Sequence, residues 1–355
     1  MPALAERTMD AMVLEADRSV LRRRLPIPRP GPDEVLVAVM ATGICGSDLA
    51  VYRGTHPYKV APGVLGHELS GTVVEVGPGV TRLRPGDRVC AASFSPCERC
   101  RMCISGEIQL CEAKATLNHE GWDGSFAEFV VLRENMAFVL PASVDWAAGA
   151  LVEPLSVGLH AVRIAARRGA RNLVILGTGN IGLCCLVAAV RLGIRTVCVD
   201  VREQPGAVAR GLGADAFVNA APGDGVARAR RALPGGGADA VVVACDYPEV
   251  FDDAAALARR GGAVVAVSYF HRAAGLPLNA LVGGELALLG SALCGGQDIE
   301  DVIDWLAAGL VDPLPMVSHR LALEELDAGM RMMDSGRSRA GKILIEVGAR
   351  SGAGR

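Results

Sequence analysis

From about residue 156 the sequence alternates short apolar runs with Ala/Leu/Arg-rich segments, and this alternation constrains the fold more than any other feature. The runs lack the apolar/polar alternation of a half-exposed strand, so each one predicts a strand buried on both faces. Such strands, separated by helices, predict a doubly wound parallel sheet in an α/β domain. The apolar runs lie at residues 172–177, 196–200, 216–219, 239–246, 262–269 and 286–292.

The part of the chain before residue 156 has a different sequence pattern. Short β-branched runs bounded by Gly or Pro, at 34–40, 69–76, 87–92 and 126–132, predict antiparallel strands of a β-rich domain. After about residue 295 two helical patterns lead to a closing strand, KILIEV. We therefore expect residues 1–155 and 296–355 to form one domain, with residues 156–295 inserted as a second.

Length and composition exclude several classes of protein. The 355 residues are enough for two domains with buried cores, and a formal charge of −3 gives no basis for binding nucleic acid. With 51% hydrophobic and 21% charged residues the chain is not a disordered segment. The first residues contain charges and no apolar core of a signal peptide, and the most apolar stretch is interrupted by glycines. We expect a cytoplasmic protein with no membrane partner.

A glycine motif, GTGNIG at 177–182, directly follows the first apolar run and opens a helical segment. Its glycines allow a tight turn beside a pyrophosphate, whose charge lies at the helix N-terminus. Asp200 ends the next strand and is placed to bind an adenosine ribose, which favours NAD over NADP; Arg202 and Arg195 lie near enough to leave NADP open. The predicted cofactor-binding residues are Gly177, Gly179, Asn180, Ile181, Gly182, Asp200 and Arg202.

Four cysteines, Cys97, Cys100, Cys103 and Cys111, lie within fifteen residues, in a lobe spanning about 95–113. Four thiolates at such spacing can close a tetrahedron around a structural zinc ion. An iron–sulfur cluster is the alternative. The usual cluster run has its fourth cysteine after three residues and is followed by Pro, whereas here seven residues intervene and Glu follows, so zinc is favoured.

A dispersed set consists of Cys45 in GICGSD, His67 and Glu68 in GHE, and Glu153 in LVEPL. A thiolate, an imidazole and a carboxylate can hold a zinc ion with one open position for a substrate oxygen. Spacing alone does not bring these residues together, because a lone Cys or His is more often a packing residue.

The chain resembles the zinc-dependent medium-chain dehydrogenases of the alcohol dehydrogenase superfamily. The motifs GICGSD at 43–48, GHE at 66–68, GDRV at 86–89 and VEP at 152–154 occur in that family's order, together with the four-cysteine lobe and the glycine motif. The sorbitol/threonine dehydrogenase branch is the most similar, since Glu153 stands where liver-type enzymes place a cysteine. The resemblance implies a GroES-like β-rich catalytic domain, a Rossmann domain and an active-site cleft between them.

The resemblance also implies two zinc ions per chain, one structural and one catalytic, with NAD as the cofactor. It makes Cys45 and His67 catalytic zinc ligands, with Glu68 and Glu153 competing for the remaining position. Adjacent residues of a regular strand face opposite ways, so His67 and Glu68 reach one ion only if the backbone there is irregular. Two carboxylates would make the zinc shell negative, so we expect only one to ligate at a time. Asp48 is expected to accept the second N–H of His67.

The implied reaction is oxidation of a secondary alcohol. Zinc lowers the pKa of the substrate hydroxyl, and hydride passes to the nicotinamide. Ser47 matches the hydroxyl that relays the alcohol proton. The relay departs from the liver-type pattern because Ala50 stands where a histidine continues it, so Glu68, water and His56 are all open as the next acceptor.

The most plausible substrate is a polyol, sugar, amino sugar or (amino)cyclitol. Threonine or another amino alcohol is the alternative, and a non-catalytic NAD-binding protein is the competing class. The strand near 286–292 is a sheet edge through which a homodimer or homotetramer could pair. His271 is expected on the nicotinamide side of the sheet. The predicted substrate residues are Ser93, Phe94, Asn118, His119 and Trp122.

Overall fold

The computed structural model describes residues 7–270, 272–336 and 341–348, so the expectation for His271 lies outside it. The strands are β1 Thr8–Leu14, β2 Val20–Pro26, β3 Glu34–Gly43, β4 Gly63–Val64, β5 Glu68–Val76, β6 Arg88–Ala91, β7 Phe94–Ser95, β8 Ala115–Thr116, β9 Phe129–Arg133, β10 Ala137–Val139, β11 Asn172–Leu176, β12 Arg195–Asp200, β13 Ala216–Asn219, β14 Ala238–Val243, β15 Ala258–Ala266, β16 Ala287–Gly290, β17 Val317–Ala322 and β18 Lys342–Glu346. The helices are α1 Gly46–Arg53, α2 Arg101–Ile104, α3 Trp146–Ala150, α4 Val152–Ala166, α5 Asn180–Arg191, α6 Pro205–Gly211, α7 Gly225–Ala232, α8 Val250–Leu257, α9 Leu278–Gly284, α10 Gly296–Ala307 and α11 Leu326–Asp334.

The chain divides into two compact units. The first contains the described residues up to Glu153 and, apart from Gly341, those from Ile299 onward; the second runs from Pro154 to Asp298. The β-rich first unit is thus completed by chain that follows the second unit. The predicted boundaries at 155/156 and 295/296 stay predictions.

The main sheet of the first unit has the strand order β10-β6-β5-β3-β18-β17, and β9 also pairs with β3. β3 pairs antiparallel with β5, β9 and β18. Strand β18 contributes Ile343 and Ile345 to a core that also includes Ile44 and Phe126. The closing strand β18 therefore lies inside the sheet, beside the strand that leads to Cys45.

The second unit has a six-stranded sheet in the order β13-β12-β11-β14-β15-β16, and every pair in it is parallel. The central strands are almost fully buried, as their continuous apolar runs predict. The order reverses at β11, so the loop after β11 lies at the switch point where this class of sheet binds its ligand. The predicted fold, a GroES-like β-rich domain plus a Rossmann sheet, is confirmed.

No helix within the described ranges is both long enough and apolar enough to cross a bilayer.

Candidate functional site

The first unit brings Cys45, His67 and Glu68 together. Their ligand atoms all lie within 4.8 Å of one another. Cys45 occupies the N-cap of α1, Glu68 is the first residue of β5, and His67 directly precedes that strand. Both His67 and Glu68 are buried, and Cys45 is half-buried. The convergence that spacing alone left open is therefore present in the fold.

The backbone before β5 is irregular, as two adjacent ligands require. Gly66 has a φ of +92°, and the strand begins only at Glu68, so His67 is outside the regular pleat. A Cβ at Gly66 would lie 2.7 Å from the Ser125 hydroxyl and 2.9 Å from the Phe126 ring. Glycine is needed here for both its conformation and its size.

Asp48 organises the backbone around the cluster. Its carboxylate accepts the Cys45 N–H at 2.9 Å and the Gly66 N–H at 3.3 Å. It lies 3.6 Å from His67 Nδ1, which is longer than a hydrogen bond, and this buried nitrogen has no other partner among the described residues. Burial opposes protonation of His67, but the charges of Asp48 and Cys45 raise its pKa well above the ordinary value. Such a concentration of buried anionic groups around an unsatisfied imidazole fits a bound cation.

Glu68 is paired with Lys342, a residue that the sequence analysis misses. The Lys342 ammonium donates to the two Glu68 carboxylate oxygens at 2.6 and 2.5 Å and to the Ile44 carbonyl at 3.0 Å. Both side chains are only 1% exposed. Lys342 is the first residue of β18, so the central position of that strand places a cation directly at the metal cluster.

The Lys342 ammonium changes the net charge around the zinc site. A dication with Cys45, neutral His67 and two carboxylates has a net charge of −1, but Lys342 offsets the charge of Glu68. Glu68 can thus lie at the cluster without making the site negative. The expectation that only one of Glu68 and Glu153 ligates at a time stays a prediction. The argument from a negative zinc shell is weaker, because Lys342 offsets one of the two carboxylate charges.

Glu153, in the first turn of α4, lies near the cluster but outside the set of three close ligand atoms. Burial raises the pKa of its carboxyl, as does the charge of Glu68, whereas His67 and a hydrogen bond from Ser93 lower it. Ser93, a predicted substrate residue, therefore contacts this carboxylate. The role of Glu153 as a zinc ligand stays a prediction.

A second lysine also lies at the cluster. Lys59 is 6% exposed, and the charges of Asp48, Cys45 and Glu153 act on its ammonium. Its backbone N–H donates to His56 Nδ1 at 3.0 Å. Burial and the nearby Lys59 charge lower the pKa of His56 to about 4, so this imidazole is neutral at physiological pH and its unprotonated nitrogen is already occupied.

One compositional signal points to both residues. The chain has 36 Lys plus Arg, and only three of these, Lys59, Lys114 and Lys342, are lysines. Lys59 and Lys342 lie at the Cys45 cluster, and Lys114 donates to the carbonyls of Gln109 and Cys111 at the cysteine lobe. Lysine, a compact point charge, is kept only where it is at least partly buried beside a candidate metal site.

The four-cysteine lobe has the geometry of a zinc site. The sulfurs of Cys97, Cys100, Cys103 and Cys111 lie within 4.8 Å of one another, and none forms a disulfide. Two of the separations are 3.5 and 4.0 Å, which bracket the value of about 3.8 Å for a zinc tetrahedron. Sulfurs this close cannot surround a multi-iron cluster. The N–H of Cys103 lowers the pKa of Cys100 to about 6, so this thiolate forms readily.

The glycine motif lies where a pyrophosphate site is expected in the second unit. Gly179 is the N-cap of α5, a 12-residue helix whose first turn has no side-chain cap. A Cβ at Gly182 would lie 1.9 Å from the Gly177 carbonyl oxygen, so only glycine permits this close turn. The Asn180 Oδ1 is buried without a partner in the described part of the chain. Free amides and an unsatisfied amide oxygen fit a dinucleotide.

Asp200, at the end of β12, is buried and accepts the Thr178 N–H at 2.9 Å. Its other oxygen accepts the Arg202 N–H at 2.9 Å and the Arg202 Nε–H at 3.1 Å. The Arg202 side chain is 46% exposed. Asp200 is thus fixed at the carboxyl end of β12 with an arginine beside it, and its contact with a ribose stays a prediction.

The other predicted substrate residues differ in their surroundings. Phe94 is 1% exposed and belongs to the core. The Asn118 amide donates to the carbonyls of Val64 and Gly66, which ties its loop to the GHE segment. The Trp122 indole donates to the Val131 carbonyl, and His119 contacts Tyr58 edge-to-face at 5.2 Å. Their contact with substrate stays a prediction.

Comparison with known proteins agrees with this geometry. The family model "Alcohol dehydrogenase GroES-like domain" matches residues 31–142, and "Zinc-binding dehydrogenase" matches residues 180–308. Sorbitol dehydrogenase of Bacillus subtilis is 30% identical over 95% of this chain and 97% of its own. L-threonine 3-dehydrogenase of Symbiobacterium thermophilum is 33% identical over 96% and 98%.

The solved structures agree as well. A zinc-binding dehydrogenase of Sinorhizobium meliloti bound to NADP has a TM-score of 0.86 and 30% identity, covering 96% of this chain and all of that one. With both family models matched, the chain is an NAD(P)-dependent oxidoreductase and belongs to the zinc-type medium-chain alcohol dehydrogenase family.

Proposed function

We propose that this protein oxidises a secondary alcohol of a polyol, sugar, amino sugar or (amino)cyclitol and transfers the hydride to NAD. The observation that carries the proposal is the convergence of Cys45, His67 and Glu68, whose ligand atoms lie within 4.8 Å of one another. A polyol substrate is supported by the similarity to sorbitol dehydrogenase. Zinc held by Cys45, His67 and one of the two carboxylates, Glu68 or Glu153, would keep a position open for the substrate and would supply a Lewis acid that lowers the pKa of its hydroxyl.

Two side chains around the metal site position its ligands and balance its charge. Asp48 holds the backbone of Cys45 and Gly66, which fixes the directions from which the thiolate and imidazole approach. Lys342 offsets the charge of Glu68, so the site does not oppose the negative charge that develops on the alcohol oxygen.

Glu68 and His56, two candidate acceptors of the alcohol proton, are both already engaged in hydrogen bonds. Glu68 bonds Lys342 through both oxygens, and His56 Nδ1 already accepts the Lys59 N–H. Neither is a free base. Ser47, on the first turn of α1 and half-buried, is therefore proposed to pass the alcohol proton to water.

NAD is the proposed cofactor. Gly177, Gly179, Asn180, Ile181 and Gly182 would line the pyrophosphate, and α5 would direct its free amides toward it. Asp200 would accept the ribose hydroxyls and repel a ribose phosphate, with Arg202 moving aside. The cysteine lobe would hold a second zinc ion that has only a structural role.

A threonine or amino-alcohol dehydrogenase is the alternative, because a relative of similar identity is a threonine dehydrogenase. A panel of polyols, sugars, aminocyclitols and amino alcohols, assayed by the appearance of NADH, separates the two. Metal analysis tests the competing class of non-catalytic NAD-binding proteins: two zinc ions per chain support the enzyme, and one, at the lobe alone, contradicts it.

Two substitutions test the site residues independently. Cys45→Ser is expected to abolish turnover while NAD binding persists, because the thiolate lies in the first unit and the glycine turn in the second. Asp200→Ala is expected to weaken NAD binding without loss of either zinc ion. Unchanged turnover in the cysteine variant contradicts the catalytic assignment.

A homodimer or homotetramer is proposed to form through β16, which is the edge strand of the six-stranded sheet and exposes Leu288. The protein is proposed to act in the cytoplasm, where its eleven cysteines, none in a disulfide, would stay reduced.

A further inference from the structure

Lys59 lies at the Cys45 cluster, in surroundings unlike those of Lys342, the other lysine there. Among the described residues no carboxylate lies within ion-pair distance of its ammonium, and no hydrogen bond of that group is found. By contrast, Lys342 has three short contacts to Glu68 and Ile44. Lys59 is only 6% exposed, so an anionic ligand that reached its ammonium would meet little competition from water.

The charge of Asp48 does not account for the position of Lys59. Asp48 exerts the largest attraction on it, yet the Asp48 oxygens are bonded to the N–H groups of Cys45 and Gly66 and face His67. The other two charges acting on Lys59 are those of Cys45 and Glu153. A metal ion bound at the cluster would take up both of these charges, leaving the ammonium available to a further negative group.

The segment that carries Lys59 is fixed in place. The Lys59 N–H is bonded to His56, the His56 ring packs edge-to-face on Tyr58 at 4.6 Å, and Tyr58 does the same with His119 at 5.2 Å. The backbone that carries Lys59 is thus held in place, and the charges of Asp48, Cys45 and Glu153 act on the ammonium at its end.

We propose that Lys59 binds an anionic oxygen of the substrate, so that the enzyme prefers polyol acids or phosphates and rejects analogues with an amino group near the reacting carbon. This inference rests on the proposed function, because it names the substrate class of the same site. It selects the acidic derivatives within the polyol and sugar classes and disfavours amino sugars, aminocyclitols and threonine. Carboxylate and phosphate share the chemistry that an ammonium recognises.

The test compares sorbitol with gluconate, a sorbitol phosphate and glucosaminitol, in the wild-type enzyme and in Lys59→Met and Lys59→Arg. The wild type is expected to have its highest kcat/KM on an acidic compound and its lowest on the amine. Lys59→Met should lower kcat/KM for the acids by about 10- to 100-fold and leave sorbitol within a few-fold. Lys59→Arg should keep part of the preference. The carboxylate and the phosphate are separate arms, so their relative rates identify the acid.

Arg84→Met is the matched control, since it removes a positive charge from the same unit at a side chain that is 87% exposed. It should leave all ratios unchanged. Calorimetric titration of gluconate into the zinc-loaded protein without NAD gives a readout independent of turnover, and Lys59→Met should weaken binding about 10-fold or more.

The two proposals fail in different ways. A wild type that oxidises sorbitol at least as well as the acids, or an acid preference that survives Lys59→Met, overturns the role of Lys59 alone. Absence of zinc at the cluster and of turnover with every compound overturns the dehydrogenase proposal. In that case gluconate is titrated into the protein as isolated, and binding that Lys59→Met fails to weaken overturns the role of Lys59 as well.

Discussion

Replacing Lys342 by Met should destabilise the first unit by about 4 kcal/mol. The substitution removes the ammonium that contacts both Glu68 oxygens and the Ile44 carbonyl, in a place where the Lys342 and Glu68 side chains are 1% exposed. Breaking one partner of a buried pair costs about 3–5 kcal/mol, because an uncompensated charge is left behind. The double variant Lys342→Met/Glu68→Gln removes that charge and should be no less stable than Lys342→Met alone.

Urea unfolding followed by tryptophan fluorescence measures this effect in the right unit. All three tryptophans, Trp122, Trp146 and Trp305, belong to the first unit, so their emission reports its unfolding even though the whole chain is not two-state. Zinc and reductant are held at fixed concentrations, since bound metal shifts apparent stability.

The matched control is Arg320→Met, which breaks the exposed pair of Arg320 with Glu346, another residue of β18. It should change the free energy of unfolding by less than about 1 kcal/mol. The reasoning is refuted if Lys342→Met is as stable as the control, or if the losses in the Lys342 and Glu68 single variants simply add in the double variant.

Three further outcomes are expected. Gly182→Ala should weaken NAD binding at least about 10-fold, measured by titration, because the new Cβ would lie 1.9 Å from the Gly177 oxygen and the turn must open. Asp298→Ala should destabilise the second unit by about 3 kcal/mol, seen as faster amide exchange in α4, because Asp298 is the buried partner of Arg163. Burial alone would raise the pKa of the Asp298 carboxyl, but its hydrogen bonds with His160, Arg163 and Gly295 lower the pKa by more than burial raises it. The stability that Asp298 provides is therefore present above the unfolded pKa of about 4 and should be lost as pH falls through the lower folded pKa. Cys100→Ser should reduce the zinc content from two ions to one and expose the lobe to proteolysis, measured by metal analysis and limited digestion.

The second unit was the more predictable part of the fold. Its central strands are almost fully buried and are continuous apolar runs in the sequence, and the strand–glycine–helix order marks the switch point without help from distant residues. In the first unit, the sequence analysis finds no strand at β2, VLRRRLP, because its three arginines point to solvent from the edge of a small sheet. Pairing with β1 makes it a strand, and pairing is invisible to local patterns.

In the candidate site, too, local features were predictable from the sequence and contacts between distant residues were not. Spacing identifies the four cysteines as one cluster because they are local, whereas Cys45 and His67 meet only through the pairing of β3 with β5. Lys342 is 274 residues from Glu68, and no periodicity links the two. The scarcity of lysine in a chain that otherwise uses arginine is the one sequence signal that could have marked Lys59 and Lys342 beforehand.

The central place of β18 also sets an order of events during synthesis. This strand lies between β3 and β17, yet it is made after the whole of the second unit. On a ribosome, the emerging first unit holds its carboxylate at Glu68 uncompensated until the last strand arrives. The buried pair of Glu68 and Lys342 thus closes only after the neighbouring unit has been translated.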